Sequence, residues 1–200
     1  MTADVKERRR RSPLDALARD LAATGGPGSV TFTEWPFRVQ VELRVARDGD
    51  LGGLEDVLGL ALPERVGAFA VAGERQASCL GPRWWLVTDV PEPDVRLECA
   101  LAGELRASGG EDVSAVDVSA QRTTIDVAGP HARDVLAHGC SLDLHPREFA
   151  PGRCAQTMLA KAQVVLQQLD DVPTYRLAVR ASFADYLGRW LLDAATEYVR

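Results

Sequence analysis

The sequence predicts an α+β protein with mixed or antiparallel sheets and helices packed against them. Residues 38–45 alternate polar and apolar side chains at the period of a half-buried strand. Residues 183–198 instead repeat apolar side chains at the spacing of one helix face. A chain of 200 residues with 46% hydrophobic content is long enough to bury a core without disulfides or metal. We expect one domain over 12–200, either undivided or built from two small lobes, about 12–110 and 111–200.

The charge balance and the cysteines restrict the partners and the compartment. The chain has 23 Lys and Arg against 29 Asp and Glu, and this net charge of −6 repels a nucleic-acid backbone. No apolar run approaches the ~18 residues of a membrane span. Cys79, Cys99, Cys140 and Cys154 lack the spacing of a zinc site or a disulfide framework, which favours free thiols. We therefore expect a cytoplasmic protein that binds neither nucleic acid nor membrane.

The first segments combine a basic tail with a capped helix. Residues 1–11 end in a block of arginines, which predicts a flexible tail or an arm that docks on an acidic partner. Ser12, Pro13 and Asp15 are typical of a helix N-cap, first position and first-turn acid. The apolar spacing that follows predicts a helix that ends before Gly25.

The middle of the chain is less regular. Within residues 51–81 five glycines, at 52, 53, 59, 67 and 73, interrupt short apolar runs, so we predict only short elements of undetermined type there. Residues 83–88 predict a fully buried strand. Residues 97–105 predict a helix, and Gly109 marks its end.

The next segment predicts two strands and a short helix. Residues 113–118 and 123–127 are expected to be adjacent strands. Gly129 and Pro130 open a short helix with three apolar side chains directed inward, and Gly139 is expected to end it in a left-handed conformation.

The remaining segment predicts two strands and a final helix. A charged connector over 141–154 leads into one strand over 157–169 and another over 175–180, with a turn between them. Ser182 and Asp185 are typical of a capped helix start. The apolar face of that helix is predicted to comprise Phe183, Tyr186, Leu187, Trp190, Leu191, Ala194 and Tyr198.

The sequence predicts no catalytic, cofactor or metal site. It contains neither a glycine pattern that cradles phosphate nor a nucleophile elbow. His131, His138 and His145 are spaced seven apart, but a helix ending at Gly139 would separate the third from the others, so we interpret them as surface or capping histidines. The paired acids of the chain flank predicted turns, where ionised carboxylates are easily hydrated.

Two features remain candidates for contacts with other molecules. Arg122, Arg133, Arg147 and Arg153 surround the long connector, and guanidinium groups suit the acidic surface of a partner subunit, although a solvated face is the equal alternative. Adjacent Trp84 and Trp85 must point to opposite faces of a strand, which predicts one ring in the core and one covered by another element.

Four segments resemble the gamma subunit of heterotetrameric sarcosine oxidase. They are VDVSAQRTTI (116–125), VAGPHARDVLAHGCSLDLHP (127–146), FAPGRCAQT (149–157) and SFADYLGRWLLDA (182–194). The resemblance extends from Gly81 to the C-terminus. It implies a complex with alpha, beta and delta subunits that oxidises sarcosine to glycine, with hydrogen peroxide and 5,10-methylenetetrahydrofolate formed by the complex. It also implies a fold like that of the folate-binding aminomethyltransferases, the T-proteins.

In the resembled family FAD, FMN and NAD belong to the alpha and beta chains and zinc to delta, so we expect no cofactor in this chain. The catalytic aspartate and the folate-contacting acid of the aminomethyltransferases have no matching position here. An accessory, non-catalytic subunit is therefore the first hypothesis. The alternatives are a free-standing folate-binding one-carbon transferase, which calorimetric titration with tetrahydrofolate would reveal, and a scaffold protein without a link to sarcosine.

Overall fold

The computed structural model describes residues 11–26, 28–90, 103, 107 and 112–199. The predicted tail up to residue 10, Cys99 and most of the predicted helix over 97–105 lie outside these residues. Described helices are α1 (Ala18–Ala23), α2 (Gly52–Leu58), α3 (Ala132–Ala137) and α4 (Ala181–Ala194), with a 3-10 turn at Asp15–Leu17 before α1. Described strands are β1 (Thr31–Trp35), β2 (Val39–Val45), β3 (Phe69–Ala72), β4 (Arg75–Gly81), β5 (Trp84–Asp89), β6 (Val113–Asp117), β7 (Arg122–Ala128), β8 (Cys154–Leu159), β9 (Ala162–Asp170) and β10 (Thr174–Arg180).

The strands form two five-stranded sheets in which every pair of neighbours is antiparallel. Sheet I has the order β1-β7-β10-β9-β8, and sheet II has the order β3-β4-β5-β2-β6. The α+β class with antiparallel sheets is thereby confirmed.

Sheet I contains the first strand and the last four, and sheet II contains the five strands between them in the sequence. N-terminal β1 pairs with β7 at the edge of sheet I, whereas β6 pairs with β2 in sheet II. The prediction that the segments of β6 and β7 are adjacent strands is therefore wrong, because β6 completes sheet II before the chain crosses to sheet I. The expected lobe boundary near residue 110 does not coincide with the division between the sheets, and the two-lobe division stays a prediction.

Helices α1, α3 and α4 cover the outer face of sheet I. Tyr175, Leu177 and Val179 of β10 are fully buried there, as their alternation predicts. The three inward residues predicted for α3 are likewise buried, namely Ala132, Val135 and Leu136. Gly188 in α4 permits close packing, since a Cβ at this position would be 2.9 Å from side-chain carbons of both Leu14 and Leu17.

Helix α2 covers the outer face of sheet II. Alternate residues of β2 and β5 are buried beneath it, among them Leu43, Trp85 and Val87, together with Leu54 and Leu58 of the helix. The Trp85 indole Nε1 donates to the carbonyl of Pro63 at 2.8 Å. One of the two adjacent tryptophans is thus in the core, as predicted.

The inner faces of the two sheets meet through a small apolar cluster. Leu86 and Val118 pack there against Val165 and Ala178, which belong to sheet I. A buried hydrogen bond of 2.9 Å from Gln167 Nε2 to Ser78 Oγ also joins the sheets. The sheets therefore meet through a mixed polar and apolar layer. This layer contains fewer buried hydrophobic side chains than either outer core.

The predicted strand over 157–169 is wrong, because the chain folds into the hairpin β8–β9 there. Ala160 occupies the left-handed region at φ 50° and forms the turn with Lys161. Turns of this kind favour glycine or asparagine, and neither residue is present to mark the reversal.

Two predicted helix ends also differ from the structure. Gly139 follows α3 as predicted, but its φ is not positive; the glycine is instead required by packing, because a Cβ there would lie 2.6 Å from Trp190 Cζ2. No side chain caps α4, so the cap predicted at Ser182 is wrong, and Asp185 pairs with Arg189 one turn later. Within the described ranges no helix has the length and apolar character needed to cross a membrane.

Candidate functional site

Buried polar side chains follow one row across the inner face of sheet II. Gln76 lies opposite Thr88, and Thr88 lies opposite Gln40 on the next strand. The Oε1 atoms of both glutamines and the Thr88 hydroxyl are buried without a hydrogen-bond partner. The row is thus a set of unused acceptors on the side that faces sheet I, which is unusual in a folded protein.

A buried ion pair lies opposite this row on sheet I. Asp126 accepts hydrogen bonds from Arg176 Nε at 2.7 Å and Nη2 at 2.8 Å, and from Trp35 Nε1 at 2.8 Å. Three donors therefore occupy the carboxylate. Such an aspartate holds the sheet edge together and has little capacity to act as a general base.

A second guanidinium lies near this pair. Arg38 is 3% exposed, and its Nη2 donates to the carbonyl of Glu74 at 2.8 Å while its Nε has no partner. Burial lowers the pKa of Arg38, and the positive charge of Arg176 lowers it further. The cluster combines two guanidinium groups with the buried Asp126 carboxylate, and the exposed Glu74 carboxylate lies 3.7 Å from Arg38 Nη2.

A cavity of about 280 Å³ opens at the other end of the inter-sheet layer, and we call it the inter-sheet cleft. Its charged lining consists of Arg44, Arg122, Arg180 and Glu42, and Trp84 forms part of the wall. Arg44 donates to Glu42 Oε1 at 2.9 Å from Nε and 2.7 Å from Nη2, and its guanidinium lies 4.3 Å from the centre of the Trp84 ring. Six different strands and the turn before β7 contribute to the lining, so the cleft exists only in the folded chain.

The four arginines proposed from the sequence as an interface occupy different environments. Arg122 lies in the inter-sheet cleft, with its Nη1 buried and without a partner. Arg133 donates from Nε to the buried hydroxyl of Tyr175 at 3.1 Å. Arg147 is exposed, whereas Arg153 is half-buried with its Nε unpartnered. Arg147 is thus the one of the four whose side chain is fully available to a partner.

Two of the three histidines contact the same tyrosine. His131 stacks on the Tyr198 ring at a centroid distance of 5.0 Å, and its Nδ1 lies 2.9 Å from Asp134. His138 Nε2 lies 3.0 Å from the Tyr198 hydroxyl. Within the described part of the chain no group of three His, Cys, Asp or Glu side chains has the arrangement of metal ligands.

The buried cysteines are poor nucleophiles. Burial raises the pKa of Cys154 to about 11 and also raises that of Cys79. The Cys154 thiol donates to the Ala68 carbonyl at 3.3 Å, and the Cys79 thiol donates to the Gly81 carbonyl at the same distance. Both thiols are therefore protonated at neutral pH, whereas a nucleophile requires the thiolate.

Helix α4 presents aromatic side chains to solvent. Phe183 is 41% exposed and Tyr186 is 38% exposed, although both were predicted to lie on the buried face of this helix. The face that packs on the core consists of Ala184, Leu187, Gly188 and Leu191. The predicted apolar stripe was too wide, because Ala184 and Gly188 look neutral in sequence but take the positions nearest the core.

Comparison with known proteins identifies relatives over nearly the whole chain. The sarcosine oxidase, gamma subunit family matches residues 48–197. The chain is 39% identical over 193 residues to sarcosine oxidase subunit gamma of Arthrobacter sp, covering 94% of this chain and 91% of the relative. It is 36% identical over 192 residues to the protein of the same name from Corynebacterium sp. strain P-1, with the same coverage.

Solved structures agree with this relationship. A chain of heterotetrameric sarcosine oxidase from Corynebacterium sp. U-96, in complex with pyrrole 2-carboxylate, superposes with a TM-score of 0.86 at 34% identity, covering 96% of this chain and 97% of that chain. The glycine cleavage system aminomethyltransferase T from Bartonella henselae superposes with a TM-score of 0.63 at 13% identity, covering 90% of this chain and 56% of that chain. The second match concerns the fold alone, and it confirms the aminomethyltransferase-like fold.

Proposed function

The chain belongs to the sarcosine oxidase gamma subunit family, and on that premise we propose that it is an accessory, non-catalytic subunit of a heterotetrameric sarcosine oxidase. The observation that carries the proposal is the superposition on a chain of such a heterotetramer over almost the full length of both chains. The same backbone fold over this extent supports a place for this chain in a complex of the same kind.

The chemistry of the described residues supports a structural role. Asp126, the carboxylate buried most deeply in the inter-sheet layer, is occupied by three donors, and the buried thiols are protonated. In this proposal the FAD, FMN, NAD and zinc of the complex lie in its alpha, beta and delta subunits. Tetrahydrofolate is likewise used there and not by this chain.

The outer face of α4 supports docking to a larger subunit. Phe183 and Tyr186 are three positions apart, so their rings are neighbours on one side of the helix. Exposed aromatic side chains are enriched at protein interfaces and often contribute much of the binding free energy. We therefore place a subunit contact on this face.

The connector between α3 and β8 supplies the second proposed contact. Arg147 is exposed there, and Arg122, Arg133 and Arg153 belong to the interface that we proposed from the sequence. Because Arg133 also binds the Tyr175 hydroxyl, it can influence assembly through the position of α3 as well as directly. A guanidinium at this surface would pair with an acidic side chain of the partner.

Co-expression with the three expected partner subunits tests the proposal. Affinity purification through a tag on this chain should yield a complex with flavin absorbance, and Phe183→Glu combined with Tyr186→Glu should reduce the recovered flavin about tenfold or more. Val172→Glu is the matched control, because Val172 is 72% exposed and lies in the turn between β9 and β10, outside α4. If this chain remains a monomer and does not bind the three subunits, the proposed function is refuted.

A further inference from the structure

The residues that line the inter-sheet cleft carry more positive than negative charge. Three guanidinium groups, those of Arg44, Arg122 and Arg180, line it with one carboxylate, Glu42, which leaves an excess of two positive charges. The whole chain has a net charge of −6, so the charge of the cleft is opposite in sign to the net charge of the chain.

The ion pair within the cleft accounts for only one of the arginines. Glu42 accepts two hydrogen bonds from Arg44, and the Arg44 guanidinium lies over the Trp84 ring. Among the residues that the structure describes, neither Arg122 nor Arg180 forms an ion pair. Two guanidinium groups therefore line the cavity without an ion-pair partner of their own, because Glu42 is paired with Arg44.

The Arg122 side chain is the less hydrated of the two. Its Nη1 is buried without an acceptor. Burial lowers the pKa of Arg122, the negative charge of Glu42 opposes this change, and the positive charge of Arg180 adds to it. Buried hydrogen-bond donors of folded proteins normally have partners. The indole Nε1 of Trp84 is a second buried donor without a partner at the same cleft.

The shape of the cleft indicates the kind of anion. Guanidinium groups bind carboxylates with two parallel hydrogen bonds, and the cavity volume of about 280 Å³ suits a small molecule. Val165 and Ala178 form apolar wall beside the charged groups. We infer that the inter-sheet cleft is a binding site for a small organic carboxylate, whose carboxyl group pairs with Arg122 and Arg180 and whose apolar body lies against Val165 and Ala178.

Benzoate is a suitable probe, and benzamide is its uncharged counterpart of the same shape. Isothermal titration calorimetry of the full chain should show saturable binding of benzoate and none of benzamide. Arg122→Gln and Arg180→Gln should each weaken benzoate binding about tenfold or more, since each removes charged donors. Arg189→Gln should leave binding unchanged, because Arg189 is exposed on α4 and pairs with Asp185.

Arg180 is exposed, so Arg180→Gln keeps the test decisive if Arg122→Gln does not fold. Absence of benzoate binding by the unmodified chain, equal binding of benzamide, or benzoate binding that survives Arg180→Gln would each overturn the inference. A repeat on the complex assembled with the partner subunits separates a free ligand from a side chain of a partner. Binding that disappears on assembly would assign the carboxylate to the partner and would also overturn the inference, whereas the proposed function would stand.

Discussion

Trp190 of α4 lies so close to Gly139 that a Cβ at residue 139 would be 2.6 Å from Trp190 Cζ2 and 3.0 Å from the backbone nitrogen of Ala160. This contact joins the end of α3, the turn of the β8–β9 hairpin and the last helix. The backbone of the hairpin also meets Gly139 directly, since the Ala160 N–H donates to the Gly139 carbonyl at 3.0 Å. Three elements that are distant in sequence therefore depend on one missing side chain.

Gly139→Ala should destabilise the protein by about 1 to 3 kcal/mol, because a methyl group must displace either an indole ring or backbone. Urea unfolding measures the change. Gly26→Ala is the matched control, since a Cβ at Gly26 has no atom within 4 Å. Equal midpoints for the two variants would show that the contact is not tight in solution.

Trp190→Ala should cost about 3 kcal/mol, at the low end for removal of a tryptophan ring, because Trp190 is only half-buried against the core of sheet I. Thermal and urea unfolding measure the loss. If the variant has the same unfolding midpoint as the native chain but fails to assemble with the partner subunits, Trp190 belongs to a subunit contact and its role in the core is excluded.

Asp126→Asn should destabilise the chain by about 3 kcal/mol, because it leaves the Arg176 guanidinium buried without its carboxylate. The asparagine keeps the shape of the side chain, so the change reports charge and not volume. Asp185→Asn removes an exposed pair on α4 and should leave the urea midpoint unchanged. If both substitutions lowered the urea midpoint by a similar amount, burial of the Asp126–Arg176 pair would not explain the loss of stability.

Stability should fall in alkaline solution through Cys154. Burial raises the pKa of Cys154 from its ordinary 9.0 to about 11, so the folded state holds the proton more tightly than the unfolded state. This contribution is complete below pH 9 and is lost as pH rises from 9 to about 11, at a total of about 2 to 3 kcal/mol.

The measurement is the free energy of unfolding between pH 8 and pH 11 for the native chain and for Cys154→Ala. The variant should lose less stability over this range. Burial also raises the pKa of Tyr175, which acts in the same direction in both proteins, so the difference between them isolates the thiol. Parallel curves would refute the contribution of Cys154.

Arg147→Glu should weaken assembly with the partner subunits while the chain stays folded, because Arg147 is exposed and its guanidinium has no partner among the described residues. Co-purification measures assembly, and circular dichroism measures folding. Arg65→Glu, at another exposed arginine, is the control. Arg133→Glu is expected to lower stability as well, since it removes the donor to Tyr175. Undiminished co-purification of Arg147→Glu would remove this residue from the interface.

The sequence by itself determined the elements whose side-chain pattern matches their burial. In β2 and β10 the apolar residues alternate because one face of each strand packs on helices, and the pattern gave both strands within a residue. Helix α3 followed from Gly129 and Pro130 for a similarly local reason. The resemblance over residues 116–194 also identified the family and the fold, which the comparisons confirm.

Only the tertiary structure decided the features that depend on distant neighbours. The turn at Ala160 is stabilised by the strands that it joins, and Gly139 is required by a ring about fifty residues away, so neither has a local signal. The exposure of Phe183 depends on which face of α4 approaches Leu14 and Leu17, and the glycine at 188 settles that approach. The inter-sheet cleft depends likewise on which sheet each strand joins, because Arg44 on β2 of sheet II meets Arg122 and Arg180 on β7 and β10 of sheet I.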